Sequence, residues 1–303
     1  EYVNQDYILH KLGRPHRAIG IMYTYYPHDK QWPQRISKAC KDMNITFQWD
    51  YPYDDYFPFN ADGQPWEQMR DIRRHGQDVA LTLTLDCSLS DDELREVARM
   101  LRPYGRMTIR INHECSGTWF THNKRFTYEQ VGKFFAHFSD IIHQEAPNVR
   151  TVFCAGFAQA DGKLEKEDEF AVAYRAADVW SADCYLALHY GWPYDVAEVG
   201  GGQYNADSVG MYYDMFRRTY ERASSQFGAK PLVTAEFNTD GDVTGPRHQG
   251  ESVIRFAEAF RDHKADWFKA ISLYQFRDRG RLGREIDGLL YTYDAADAMQ
   301  CVD

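Results

Sequence analysis

Apolar positions fall along this chain in two alternating registers. Short, near-continuous apolar runs are separated by stretches in which apolar residues recur every three or four positions. The runs predict strands over residues 16–25, 45–50, 78–85, 107–114, 149–155, 179–186, 231–237 and 268–276. The helical spacing predicts helices over 31–43, 66–75, 127–144, 167–177, 209–226 and 251–263, with a further one opened by Ser90-Asp-Asp-Glu93. That tetrapeptide is a capping box, in which the serine and the glutamate each satisfy an unpaired amide of the first turn. Eight strands apolar on both faces, the first seven each followed by a helix, indicate a parallel sheet covered on both sides.

The connections are lopsided. Helix-to-strand links are short (44, 76–77, 102–105, 146–148, 227–230), whereas strand-to-helix links are long and aromatic (51–65, 115–126, 187–208, 238–250). A (β/α)₈ TIM barrel carries its chemistry on the strand-to-helix side, and 303 residues suit one such barrel. We therefore expect a single α/β domain over 1–303, with a C-terminus that reads as clipped, because 284–303 is too short for a full eighth helix. An open doubly wound sheet fits less well, since no glycine-rich phosphate turn follows the first strand.

Composition narrows the partners. The net charge of -10, without a Lys/Arg-rich run, argues against nucleic acid or an anionic membrane, and no apolar run approaches a membrane span. Aromatic residues make up 15% of the chain and concentrate outside the strands, which suggests a ligand surface. Six cysteines are scattered without a CxxC pair, so no zinc or redox motif is indicated. Cys154 and Cys184, inside strands, are expected as buried free thiols.

Candidate chemistry centres on Met107 to Phe120, MTIRINHECSGTWF. In an extended strand Arg110, Asn112 and Glu114 point the same way, with His113 opposite unless a bulge intervenes. A buried arginine and carboxylate are costly unless they pair or do chemistry. A structural pair capping the strand is the plain alternative. In PLVTAEF, residues 231–237, Leu232, Thr234 and Glu236 likewise share a face. Glu114 and Glu236 then end the fourth and seventh strands, and only a closed barrel lets them face each other. Such a pair suits glycosidic bond cleavage, with one protonated acid for the leaving oxygen and one carboxylate for the anomeric carbon. Burial against Trp119 and the charge of Glu236 would raise the acid, while Arg110, Tyr185 or Tyr274 would keep the nucleophile ionised. Asp50 and Asp183, on the second and sixth strands, read equally well as neighbours of the site or as structural residues.

Residues 110–120 resemble the R-x-x-H-E-x-x-G-x-W-[FY] signature of glycoside hydrolase family 26, part of a clan of retaining (β/α)₈ glycosidases. Lys230 to Phe237 is similar to the clan's strand-seven segment. The resemblance implies Glu114 as acid/base and Glu236 as nucleophile. It also implies His113, Trp119 and Phe120 about the cleavage subsite and Tyr185 on the nucleophile. Arg110, Trp192 and Tyr274 complete the expected substrate-binding set. The chain departs from the family's pattern at Ile111, Cys115 and Ser116, and strand eight lacks the clan's tryptophan.

The expectation is thus a secreted, monomeric, retaining endo-β-glycosidase that needs no cofactor. Its partner is a polysaccharide, a β-1,4-mannan first, with β-xylan, mixed-linkage β-glucan or a rarer glycan as alternatives. Any carbohydrate-binding module lies outside this chain. Two rivals stand beside it. A metal-dependent hydrolase would use His113 and Glu114 as ligands, though H-E-x-x-H is absent. A catalytically silent carbohydrate-binding barrel would have no use for the two glutamates.

Overall fold

In the computed structural model, which describes residues 3–28, 57–59, 64–117, 125–186, 189–190, 198–199, 208–239 and 246–274, the apolar runs pair as parallel strands. The long strands are β1 (Ala18–Tyr25), β3 (Asp78–Leu85), β4 (Met107–Ile111), β5 (Val149–Phe157), β6 (Val179–Tyr185), β9 (Leu232–Asn238) and β10 (Phe268–Leu273). Short β2 (Phe57–Pro58) joins the sheet, and β7 (His189–Tyr190) pairs antiparallel with β8 (Glu198–Val199). The helices are α1 (Gln5–Leu12), α2 (Gln64–Arg74), α3 (Asp91–Met100), α4 (Tyr128–Glu145), α5 (Ala171–Ala176), α6 (Ser208–Phe227) and α7 (Pro246–Asp262).

The strand order is β10-β9-β6-β5-β4-β3-β1-β2. The sheet curls until Ser272 Oγ on β10 lies 3.9 Å from where a Cβ on Gly20 of β1 would stand. Strands at opposite ends of the ladder thus approach each other, and the architecture is that of a (β/α)₈ barrel.

One expectation about order is overturned. A strand over 45–50 was expected between the first and third, yet β1 pairs with β3 residue for residue from Ala18↔Asp78 to Tyr25↔Leu85. No strand fits between them, and the other edge of β1 takes β2 instead. Residues 31–43 and 45–50 themselves lie outside the described residues. Helix α1 was not foreseen; Asn4 caps it by accepting from the Tyr7 amide, and Gly13 ends it in the left-handed region.

Capping boxes set two helix starts, the first of them expected, whereas the helix expected from residue 167 begins only at Ala171, without a side-chain cap. Ser90 with Glu93 closes a reciprocal capping box on α3, and Thr127 with Gln130 does the same on α4. Alternation then sorts the strands. Outward residues pack against helices: Phe135 of α4 meets Phe153 of β5 at 4.7 Å between ring centroids, and Phe237 of β9 stacks on Phe256 of α7 at 4.2 Å. Fully burying such a side chain stabilises by roughly 1.5–3 kcal/mol. Among the described residues aromatic side chains fill this sheet–helix layer, where Trp180, Tyr174, Phe138, Phe170 and Phe216 are also buried. Most of the aromatic loop residues expected to form a ligand surface lie outside the described residues. Cys154 and Cys184 are buried free thiols, as anticipated.

Candidate active site

Inward-facing positions on three strands place polar groups in the barrel's interior. Arg110 comes from β4, Asp183 and Tyr185 from β6, and Glu236 from β9. Arg110 donates from Nη1 to Glu236 Oε1 and from Nη2 to Asp183 Oδ2, each at 2.8 Å. Asp183 Oδ1 accepts the Glu236 amide at 3.0 Å. Tyr185 donates from Oη to Glu236 Oε2 at 2.8 Å. Ser181, two residues earlier on the same face of β6, accepts the Ala235 amide at 2.8 Å. β6 and β9 are therefore locked together by side chains as well as by their ladder.

The end of β4 departs from the extended reading. The strand stops at Ile111, and the next residues form a turn in which Asn112 and Glu114 take φ of 59° and 42°. Left-handed backbone is unusual outside glycine and breaks the two-residue alternation. As a result His113 and Glu114, expected on opposite faces, both enter the site. Asn112, expected beside Arg110, turns to the neighbouring strand, where its Oδ1 accepts the Leu85 amide at 2.7 Å. Backbone bonds from Cys115 N to Cys154 O (3.2 Å) and from Ser116 N to Ala155 O (2.7 Å) fasten the turn to β5.

His113 Nε2 lies 2.6 Å from Glu236 Oε1. His113, Glu114, Asp183 and Glu236 each offer one side-chain atom, and these four atoms all lie within 4.8 Å of one another. All four residues are buried, as is Arg110.

Burial pushes Glu114 well above the usual carboxylate range, and the charges of Glu236 and Asp183 push it further; a hydrogen bond with Asp183 acts in the same direction. Asp183 rises to about 7, mainly through burial, because the Arg110 contact offsets only part of that cost. Burial would raise Glu236 too, but the contacts with His113 and Arg110 outweigh it and hold this carboxylate below its ordinary range. Burial lowers His113, aided by the Arg110 charge, while the Glu236 contact acts in the opposite direction. The site thus holds one proton-bearing glutamate beside one ionised glutamate, a division of states that general acid and nucleophile require.

The same four side chains are of types that ligate metals. However, Arg110 already occupies Glu236 Oε1 and Asp183 Oδ2, and its guanidinium charge would oppose a dication in the same space. The donor set therefore fits an ion-paired carboxylate cluster better than a metal centre.

Of the expected site residues, Arg110, His113, Glu114, Tyr185 and Glu236 are brought together. Tyr274 stands just beyond β10, with its ring centroid 6.4 Å from that of Tyr185 and its carbonyl accepting from Asn238 Nδ2 at 2.9 Å. Trp119, Phe120 and Trp192 lie outside the described residues, so the raised state of Glu114 rests on burial and neighbouring carboxylates. Asp183, ambiguous in the sequence, proves to be a full member of the cluster. Its signal was parity, two residues before Tyr185 on one strand. Asp50 lies outside the described residues.

No family model matches the chain, and no curated protein does. Solved structures do match in fold. A β-D-glucuronidase from Dictyoglomus thermophilum superposes with a TM-score of 0.54 at 11% identity, over 96% of this chain and 51% of that one. A family 39 glycoside hydrolase from Bacteroides cellulosilyticus WH2 gives 0.53 at 12% identity, over 95% of this chain and 64% of that one. A GH26 β-mannanase from Bacteroides ovatus matches over 57% of this chain and 54% of that one at 14% identity, with a TM-score of 0.39 that is too low to carry an argument. The chain spans only about half to two thirds of these structures' lengths, and shares with them the fold of a (β/α)₈ barrel.

Proposed function

We propose that this chain hydrolyses a glycosidic bond with retention of configuration, Glu114 serving as general acid/base and Glu236 as nucleophile. The observation that carries this reading is the pair itself. Two buried glutamates from separate strands approach within 4.8 Å, one driven toward its protonated form and the other held ionised. With their nearest oxygens no more than 4.8 Å apart, the two carboxylates suit the roughly 5–5.5 Å of retaining pairs better than the about 6.5–9.5 Å of inverting ones.

In the first step the ionised Glu236 attacks the anomeric carbon while Glu114 gives its proton to the departing oxygen. A covalent glycosyl-enzyme results. In the second step Glu114, now a carboxylate, takes a proton from water, and that water displaces Glu236. Arg110, Tyr185 and His113 keep Glu236 ionised and fix the direction of its oxygens. Structural neighbours named as glycosidases support the carbohydrate class, and the resemblance of residues 110–120 to family 26 favours a β-1,4-mannan as substrate, cleaved internally by a secreted enzyme.

Product analysis on β-mannan, β-1,3- and β-1,4-xylan, mixed-linkage glucan and chitosan tests the reading. Release of oligosaccharides from one polymer names the substrate. An absence of products on every polymer, and on activated aryl glycosides, would remove the hydrolase reading and favour the silent binding barrel.

A further inference from the structure

The turn that presents Glu114 is gripped from outside by the connection that follows β5. Ser116 Oγ donates to Glu165 Oε1 at 2.7 Å. The Ser116 carbonyl accepts from Tyr128 Oη at 3.1 Å, and Lys166 Nζ stands 5.1 Å from the centroid of that same ring. Glu165 is itself tied down, since its backbone carbonyl accepts from Tyr174 Oη of α5 at 2.7 Å. Two consecutive residues thus reach Ser116 by separate routes, one direct and one through an aromatic ring.

Three features make this grip costly for a contact with no further purpose. Glu165 Oε2 is buried without a hydrogen-bond partner among the described residues. Lys166 takes a left-handed φ of 50°. A side chain at Gly156 would collide with Glu165 Oε2 and bring its Cβ within 2.9 Å of Ser116 Oγ, so only glycine admits the carboxylate there. Local costs of this kind persist where the surrounding structure fixes a working group. The turn also has a reason to need an outside hold, because Asn112 and Glu114 are themselves left-handed.

We propose that Glu165 and Lys166 are positioning residues: acting through Ser116, they clamp the turn over 112–116 and hold Glu114 where a glycoside's leaving oxygen arrives. This positioning role rests on the acid/base role given to Glu114 above. Misplacing a proton donor by about 1 Å can cost on the order of a hundredfold in rate.

The test uses the whole chain carrying Glu165→Ala, Glu165→Gln or Ser116→Ala, with two readouts. The first is hydrogen exchange of the amides over 113–117, compared with those of β4 and β5. The second is kcat and KM on two glycosides that differ only in leaving group, one poor and one activated. In Glu165→Ala, exchange over 113–117 should rise at least tenfold while the strands keep their protection. Its kcat/KM, which reports the glycosylation step, should fall about tenfold to a hundredfold on the poor leaving group and hold on the activated one. Glu165→Gln, which keeps an acceptor oxygen, should recover most of both. Unchanged exchange at 113–117, a rise throughout the barrel, or an equal fall of kcat/KM on both substrates would overturn the clamp. A wild-type protein that cleaves no glycoside would sink the proposed function instead, and the exchange data would still decide the clamp.

Discussion

Arg110 Nη2 and Asp183 Oδ2 are 2.8 Å apart, with 4% and 0% of the two side chains exposed. This ion pair organises the site, and Arg110 at the same time bonds Glu236 Oε1. Through its other oxygen Asp183 holds the backbone of Glu236, and through Arg110 it holds that residue's side chain. Removing one partner of a buried pair typically costs about 3–5 kcal/mol, an upper bound here because Arg110 keeps Glu236 as a second partner. Asp183→Ala should lower unfolding free energy by that order in denaturant titrations. Asp183→Asn, which preserves an oxygen for the Glu236 amide, should lose less. A loss under about 1 kcal/mol in the alanine variant would contradict this role.

Glu114 is expected to cost stability. Its folded-state pKa is raised, so below the unfolded value of about 4.3 both states hold the proton and nothing is lost. As pH rises past that point the unfolded chain releases the proton first, and folded stability declines until pH passes the folded pKa. Glutamine does not titrate. Glu114→Gln should therefore be more stable than wild type at neutral and alkaline pH, by about 1.4 kcal/mol for every pH unit separating the folded and unfolded pKa values of Glu114, with the gain vanishing near pH 4. Glu236 runs the other way: its depressed pKa stabilises the fold above about pH 4.3, and this is lost as pH falls. Thermal unfolding across about pH 4 to 9 checks both signs.

Tyr185 gives Glu236 a hydrogen bond from its hydroxyl at 2.8 Å. A bond to a charged acceptor is worth about 1.5–3 kcal/mol, or roughly tenfold to a hundredfold in rate. Tyr185→Phe should lower kcat by that factor while leaving KM and thermal stability nearly unchanged. An effect confined to KM would assign the tyrosine to substrate binding alone.

Chelation separates the carboxylate mechanism from the metal rival. With Arg110 seated between Asp183 and Glu236, the site has its cation already. Activity after exhaustive EDTA treatment should equal that of untreated protein. Loss on chelation with recovery on adding a divalent metal would overturn the assignment.

The barrel was legible because its strands are apolar on both faces and its helices carry their own caps. Residues 78–85 form β3 as expected, and the Ser90–Glu93 box opens α3. Glu236 was equally legible, since Leu232, Thr234 and Glu236 are the alternate buried positions of β9. What could not be read is where alternation fails. Nothing in Asn112-His113-Glu114 announces two left-handed residues, and that turn alone decides which of the three side chains enter the site. The adjacency of β1 and β3 was hidden too, because pairing partners are a property of the closed sheet and not of either strand. Asp183 stayed ambiguous until Arg110, far away in sequence, supplied its partner.

The division of labour between Glu114 and Glu236 is tested most directly by one kinetic comparison. Glu114→Gln and Glu236→Ala are assayed on an unactivated glycoside and on its dinitrophenyl counterpart. Glu114→Gln should lose cleavage of the first and form the glycosyl-enzyme from the second at near wild-type rate, because an activated leaving group needs no proton. Glu236→Ala should lose both, since no nucleophile is left. Equal losses in the two variants on the activated substrate would contradict the assignment.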